Sequence, residues 1–115
     1  MINEKVYEKL KEIARRGTTI TYTDLNNECN LNIFFEGGKG GKEIGEILGE
    51  ISKRGFQNNR PLISAVVVKK SSHPPDPSYG FYNLVDELGL RKLKESKEIF
   101  FAKELRKVFD YWKNK

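Results

Sequence analysis

The chain of 115 residues predicts a small α+β fold, in which helices cover one face of a single β-hairpin. Three observations carry that prediction. Leu62, Ile63, Ala65, Val66, Val67 and Val68 form the most apolar, β-branched run of the sequence, a composition that favours a strand. Pro74, Pro75 and Pro77 then fall within 71–78, where residues that cannot donate to a sheet ladder call for a turn. Tyr79, Phe81 and Tyr82 resume a strand-like composition, giving a hairpin with an extended, proline-stiffened tip. A lone hairpin is marginal in water. The apolar residues that recur at helical spacing before and after it would supply its cover.

Charge and composition bound the rest. About a third of the residues are charged, 32%, and 37% are hydrophobic, which suits one globular domain with one core. No apolar run approaches the roughly 18 residues of a membrane span, and no apolar segment follows the charges of the N-terminus as a signal peptide would require. A cytoplasmic protein with no membrane partner is expected. Cys29 is the single cysteine, which excludes an internal disulfide and any cysteine-based metal cluster. The net charge of +5 is uneven: residues 1–90 hold 12 Lys/Arg and 12 Asp/Glu, whereas residues 91–115 hold 9 against 4. The chain thus divides into a neutral domain, 1–90, and a basic amphipathic helix, 91–115, packed on it. A basic excess favours an anionic partner, although a solvated helix face explains it equally well.

In chain order, Asn3 caps a first helix to about Arg16, with Val6, Leu10 and Ile13 on its inner stripe and Gly17 as its stop. Thr18, Thr19 and Ile20 are β-prone. Thr21 and Asp24 have the spacing of a capping box that opens a short second helix through about Glu28. Cys29 reads as a small buried hydrophobe, with no neighbour to activate its thiol. The loop 30–41 places Gly37, Gly38, Gly40 and Gly41 around Lys39, but it lacks the spacing of a phosphate-binding loop and a strand leading into it. Its Ile33, Phe34 and Phe35 are expected to plug into the core. Ile44, Ile47, Leu48 and Ile51 define a third helix, 42–54, the clearest helical signal in the chain. Gly45 and Gly49 share one side of it and would admit another backbone closely, while Glu43, Glu46 and Glu50 would repel phosphates. After the hairpin, Asn83 caps a short helix stopped by Gly89, and Ser96 opens a last helix to about Lys113. On that helix Phe101, Leu105, Val108 and Trp112 form a wide stripe suited to a core or a dimer seam.

Catalytic chemistry finds no footing. His73 is the sole histidine and sits at the hairpin tip, Asp76 has no evident partner there, and no Ser/His/Asp set, paired acid or metal cluster has workable spacing. No enzyme activity, cofactor or metal is expected.

The order of three helices, hairpin and closing helices is that of a winged helix-turn-helix domain with an added C-terminal helix. The segments GTTITYTDL, GKEIGEIL, RPLISAVVV and SYGF resemble the DNA-binding half of alkylguanine-DNA alkyltransferases and alkyltransferase-like proteins. Thr21 and Tyr22 match that family's Thr-Tyr pair, and 42–48 lies along its recognition helix, with Lys42 where a helix-opening arginine stands. Pro61, Leu62, Ile63 and Ser64 occupy the place of the family's Pro-Cys-His-Arg, so the alkyl acceptor and its histidine are absent. The segments are also similar to small bacterial proteins from which no function carries over. The resemblance, spanning about residues 14–82, implies a DNA-binding fold without alkyl transfer.

Two functions follow as expectations. In the first, the domain binds nucleic acid, double-stranded DNA above all, in a regulatory or accessory role. Tyr22, Thr23, Lys39 and Lys42 would approach the backbone, with Lys69, Lys70 and His73 on the wing. In the second, it is a protein-interaction or dimerisation module, or an accessory subunit, working through the glutamate-rich third helix and the aromatic last one.

Overall fold

A computed structural model describes residues 2–35, 39–92 and 94–115, with Lys39 described by its backbone alone. The chain runs α1 (Glu4–Arg15), β1 (Ile20–Thr21), α2 (Tyr22–Glu28), α3 (Lys39–Gln57), a 3-10 turn (Ile63–Val66), β2 (Val67–Val68), α4 (Tyr79–Glu87) and α5 (Lys97–Trp112). It is a mostly helical domain with a minimal two-stranded parallel sheet, in which Ile20 faces Val67 and Thr21 faces Val68.

The helix ends follow their capping chemistry. Asn3 Oδ1 accepts from the Val6 amide at 3.1 Å, Thr21 Oγ1 from Asp24 at 3.1 Å and Ser96 Oγ from Ile99 at 3.1 Å, each satisfying an amide that the helix leaves unpaired. Gly17, at φ +67, takes the left-handed conformation that ends α1. The third helix starts at Lys39 rather than at residue 42, and it continues past Gly55 to Gln57. At its first turn Gly40 is obligatory, since a Cβ there would lie 2.2 Å from the Phe34 carbonyl oxygen. That crossing buries Ile33 but leaves Phe34 83% exposed, so the plug expected of three residues is made by one. Gly37 and Gly38 of the expected glycine loop lie outside the described residues.

The hairpin wing is not what forms. Ile63–Val66 wind into a 3-10 turn instead of a strand, and Val67–Val68 pair in parallel with β1 rather than with a return strand. Tyr79, Phe81 and Tyr82 belong to α4, which begins four residues before the expected cap at Asn83. The reasons are physical. A short apolar run that is buried on all sides does not reveal by periodicity whether it is strand or helix. Phe81, Leu84 and Val85 bury at i, i+3 and i+4, a helical stripe that outweighs the β-propensity of three aromatics.

Residues 62–68 are all buried, and α1, α3 and α5 pack around the 3-10 turn. Buried backbone polar groups need partners. Glu104 of α5, itself buried, accepts the Leu62 amide at 2.8 Å through Oε2. Ser52 of α3 accepts the Ser64 amide at 3.1 Å and donates to Ser64 Oγ at 2.6 Å. Trp112 closes the α5 stripe against Tyr7, edge to face at 6.3 Å between ring centres, and is 7% exposed, so this end of the stripe belongs to the core. Its Nε1 is buried and has no hydrogen-bond partner among the described residues.

The Glu104 contact yields a measurable expectation. Glu104→Leu strands the Leu62 amide and should cost about 1–3 kcal/mol, whereas Glu104→Gln keeps an acceptor and should cost less. Urea denaturation of the two variants measures the difference; equal stabilities would remove Glu104 from this role.

Candidate functional site

The loop 69–78 is closed by one carboxylate. The Lys69 amide donates to the Asp76 carbonyl at 2.8 Å, and Lys69 Nζ reaches Asp76 Oδ2 at 2.9 Å. Tyr82 donates its hydroxyl to Asp76 Oδ1 at 2.8 Å. Inside the loop, Ser72 Oγ donates to the Lys69 carbonyl at 2.8 Å and accepts from the Asp76 amide at 3.1 Å. Asp76, which the sequence left without a partner, is thus the clasp of the loop. Burial alone would push its carboxyl up, but the hydrogen bonds from Lys69 and Tyr82 and the charge of the lysine outweigh this and hold it below its ordinary value. Burial, followed by the bond to Asp76, pushes the Tyr82 phenol well up, so it stays a donor.

The sequence-predicted residues separate in this frame. Tyr22 accepts the Ser78 amide at 2.8 Å through its hydroxyl, and burial raises its phenol pKa despite that bond. Its main task is to hold the end of the loop to α2. Lys69 is committed to Asp76. Thr23, Lys42, Lys70 and His73 are exposed, and the Lys39 side chain lies outside the described residues. Tyr22 links two of these places: Ser78, which it holds, also lines the groove that contains Lys42.

That groove lies between α3 and α4 and encloses about 750 Å³. Gly41, Gly45 and Gly49 line it from α3 and Gly80 from α4, and among the described residues a Cβ added at any of the four meets no atom within 4 Å. The spacing of Gly45 and Gly49 is legible in the sequence. Gly41 and Gly80 become part of the set only when α3 starts early and 79–87 turns helical. Tyr79, 76% exposed, and Asn83 also line the groove. Lys53 and Glu87 join α3 to α4 at 2.8 Å. Glu46 and Glu50 line it too, which keeps its charge mixed.

A second groove, of about 730 Å³, runs between the proline tip of the loop and α5. Nothing in the sequence pointed to it, because the tip was expected to stand away from the body as a wing. His73 lines this groove and not the glycine one.

Residues 62–64, expected from the sequence to stand in place of an alkyl acceptor, lie inside the core. Leu62, Ile63 and Ser64 are buried there, and the Ser64 hydroxyl is tied to Ser52. Burial also raises the Cys29 thiol pKa, away from the thiolate a nucleophile needs. No described helix is long and apolar enough to cross a membrane. Compared with known proteins, the chain matches no family model, no curated protein and no solved structure.

The Asp76 clasp predicts a pH dependence whose sign is fixed. A carboxyl with a lowered folded pKa contributes stability that is full above its unfolded pKa and is lost as pH falls through the folded value. Thermal melts should therefore fall more steeply below the ordinary value near 3.8 in the wild type than in Asp76→Asn. Parallel acid profiles of the two proteins would contradict the clasp.

Proposed function

We propose that the protein binds nucleic acid, double-stranded DNA above all, as a helix-turn-helix domain in a regulatory or accessory role, without chemistry of its own. The observation that carries this reading is the glycine-floored groove between α3 and α4. Each glycine inside a helix costs about 1 kcal/mol relative to alanine. At Gly40 a neighbouring backbone explains the cost; at Gly41, Gly45 and Gly49 no atom of the described residues does. A floor kept bare along a little over two turns of helix suits a backbone that arrives from outside. The similarity of 21–22 and 42–48 to alkyltransferase segments supports the same face.

The charges refine the pose. Lys42, Thr23 and Lys70 are exposed and would take phosphates, whereas Glu46 repels them, and Lys53 neutralises Glu87. Phosphates therefore run past the Lys42 end, and base edges lie over Gly45 and Gly49, where a carboxylate can accept from a cytosine amino group. Lys69 supports this face indirectly, by holding the loop beside Tyr22.

Replacing Gly45 and Gly49 together by alanine separates folding from binding. The variant should be more stable by about 1–2 kcal/mol, because the new methyl groups enter open space and helix propensity rises. It should nonetheless bind a short labelled duplex several-fold more weakly by fluorescence anisotropy. Wild-type affinity should fall steeply between about 50 and 200 mM salt. Lys42→Ala should reduce the salt slope by about 0.9, the value of one phosphate contact. Absence of saturable binding to duplex or single-stranded nucleic acid at low salt would overturn the proposal.

A further inference from the structure

We propose that the groove between α5 and the proline tip is a docking site for a basic amphipathic α-helix of a partner protein. This goes beyond the nucleic-acid reading and does not depend on it, since the two grooves share no lining residue.

The floor belongs to α5. Phe101, Ala102, Leu105 and Phe109 line the groove, and Ala102 is exposed while Leu105 and Phe109 are half-buried. Phe101, Leu105 and Phe109 follow the i, i+4, i+8 row of a helix with Ala102 beside it, so the apolar strip runs along the α5 axis. The opposite wall is Pro74 and Pro75. Neither proline has an amide hydrogen, and α5 has its backbone paired internally, so the site offers an extended peptide no ladder to join. An occupant must satisfy its own backbone, and a helix laid into an apolar groove does so.

The charges around the floor specify what kind of helix. Glu98 and Asp110 line the two ends of the strip, separated by about 18 Å of α5, or a little over three turns. Glu98 has no ion pair among the described residues, and Asp110 meets Lys113 only at 3.8 Å with both side chains mostly exposed. Arg106 lines the groove between the two acids and likewise lacks an ion pair among the described residues. The third acid of the lining, Asp76, is already satisfied by Lys69 and Tyr82. The complement is a helix of about three turns with apolar residues on one face, Lys or Arg at both ends and an acidic residue at the centre. Such end charges set orientation and discriminate partners more than they add affinity.

The test uses a designed helical peptide with leucines at i, i+4 and i+7, lysines at both ends and a central glutamate. A control peptide exchanges every lysine for glutamate and the glutamate for lysine. Anisotropy titrations on the full chain should show saturable binding of the first peptide. The inverted peptide should bind about tenfold more weakly, the scale of exposed charge pairs turned from attraction to repulsion. Ala102→Glu, at an exposed helical position, should abolish binding while leaving circular dichroism and melting unchanged. Equal affinity for the two peptides, binding that survives Ala102→Glu, or no binding of either peptide would overturn the proposal. So would light scattering that shows a dimer of the protein alone which Ala102→Glu dissociates, because the occupant would then be a second copy of this chain.

Discussion

The fold depends on keeping one short segment, residues 62–68, dry without leaving its backbone unpaired. Seven consecutive buried residues carry seven amides and seven carbonyls that water cannot reach, and each one left orphaned would cost as much as a lost hydrogen bond. The partners come from different parts of the chain: Glu104 of α5 for the Leu62 amide, Ser52 of α3 for that of Ser64, the turn itself for those of Ala65 and Val67, and pairing with β1 along Val67–Val68. A 3-10 turn followed by two residues of strand is the geometry that meets these donors and acceptors from opposite ends. Because the partners sit on α3, α5 and β1, satisfying the segment also fixes where those elements lie. The apolar side chains of α1, α3 and α5 then close around it.

Both candidate surfaces follow from that constraint. The chain leaves β2 at Val68 and must return to begin α4 at Tyr79, and the return is drawn tight by Asp76 and by the bond from Ser78 to Tyr22. A loop held this way cannot project as a wing. It lies back so that its prolines face α5, while its end delivers α4 to α3. One wall of each groove is thus set by the same ten residues, and Lys69, expected to meet phosphate, is occupied in holding them.

Much of this was legible in the sequence. Asn3, Thr21 and Ser96 announce their helices by side-chain capping, the stripes of α1 and α3 are regular, and Cys29 goes inside as its place four residues after Leu25 suggests. The limit appears where composition and context disagree. The run at 62–68 has the residues of a strand, but its environment is decided by Glu104 and Ser52, 42 and 12 residues distant from their partners, which no local pattern encodes. Tyr79, Phe81 and Tyr82 likewise look like strand and become helix, because Phe81 with Leu84 and Val85 completes a stripe that tertiary burial rewards. The pairing of Asp76 with Lys69 and Tyr82 is short in sequence yet was hidden by the same misassignment, since only the helical start of α4 turns Tyr82 toward the loop. The candidate site was therefore half visible: Gly45, Gly49 and Lys42 by spacing and charge, but not Gly80, Tyr79 or the second groove.

The central functional claim is that nucleic acid enters over the bare glycines of α3 and not elsewhere. An NMR titration of the isotopically labelled protein with a short DNA duplex tests it most directly. The claim predicts that amide shifts move at Thr23, Lys42, Gly45, Gly49, Tyr79 and Gly80, while those at Ala102, Leu105 and Phe109 stay in place. Shifts confined to α5 and its basic flank, with the α3 glycines unmoved, would contradict it.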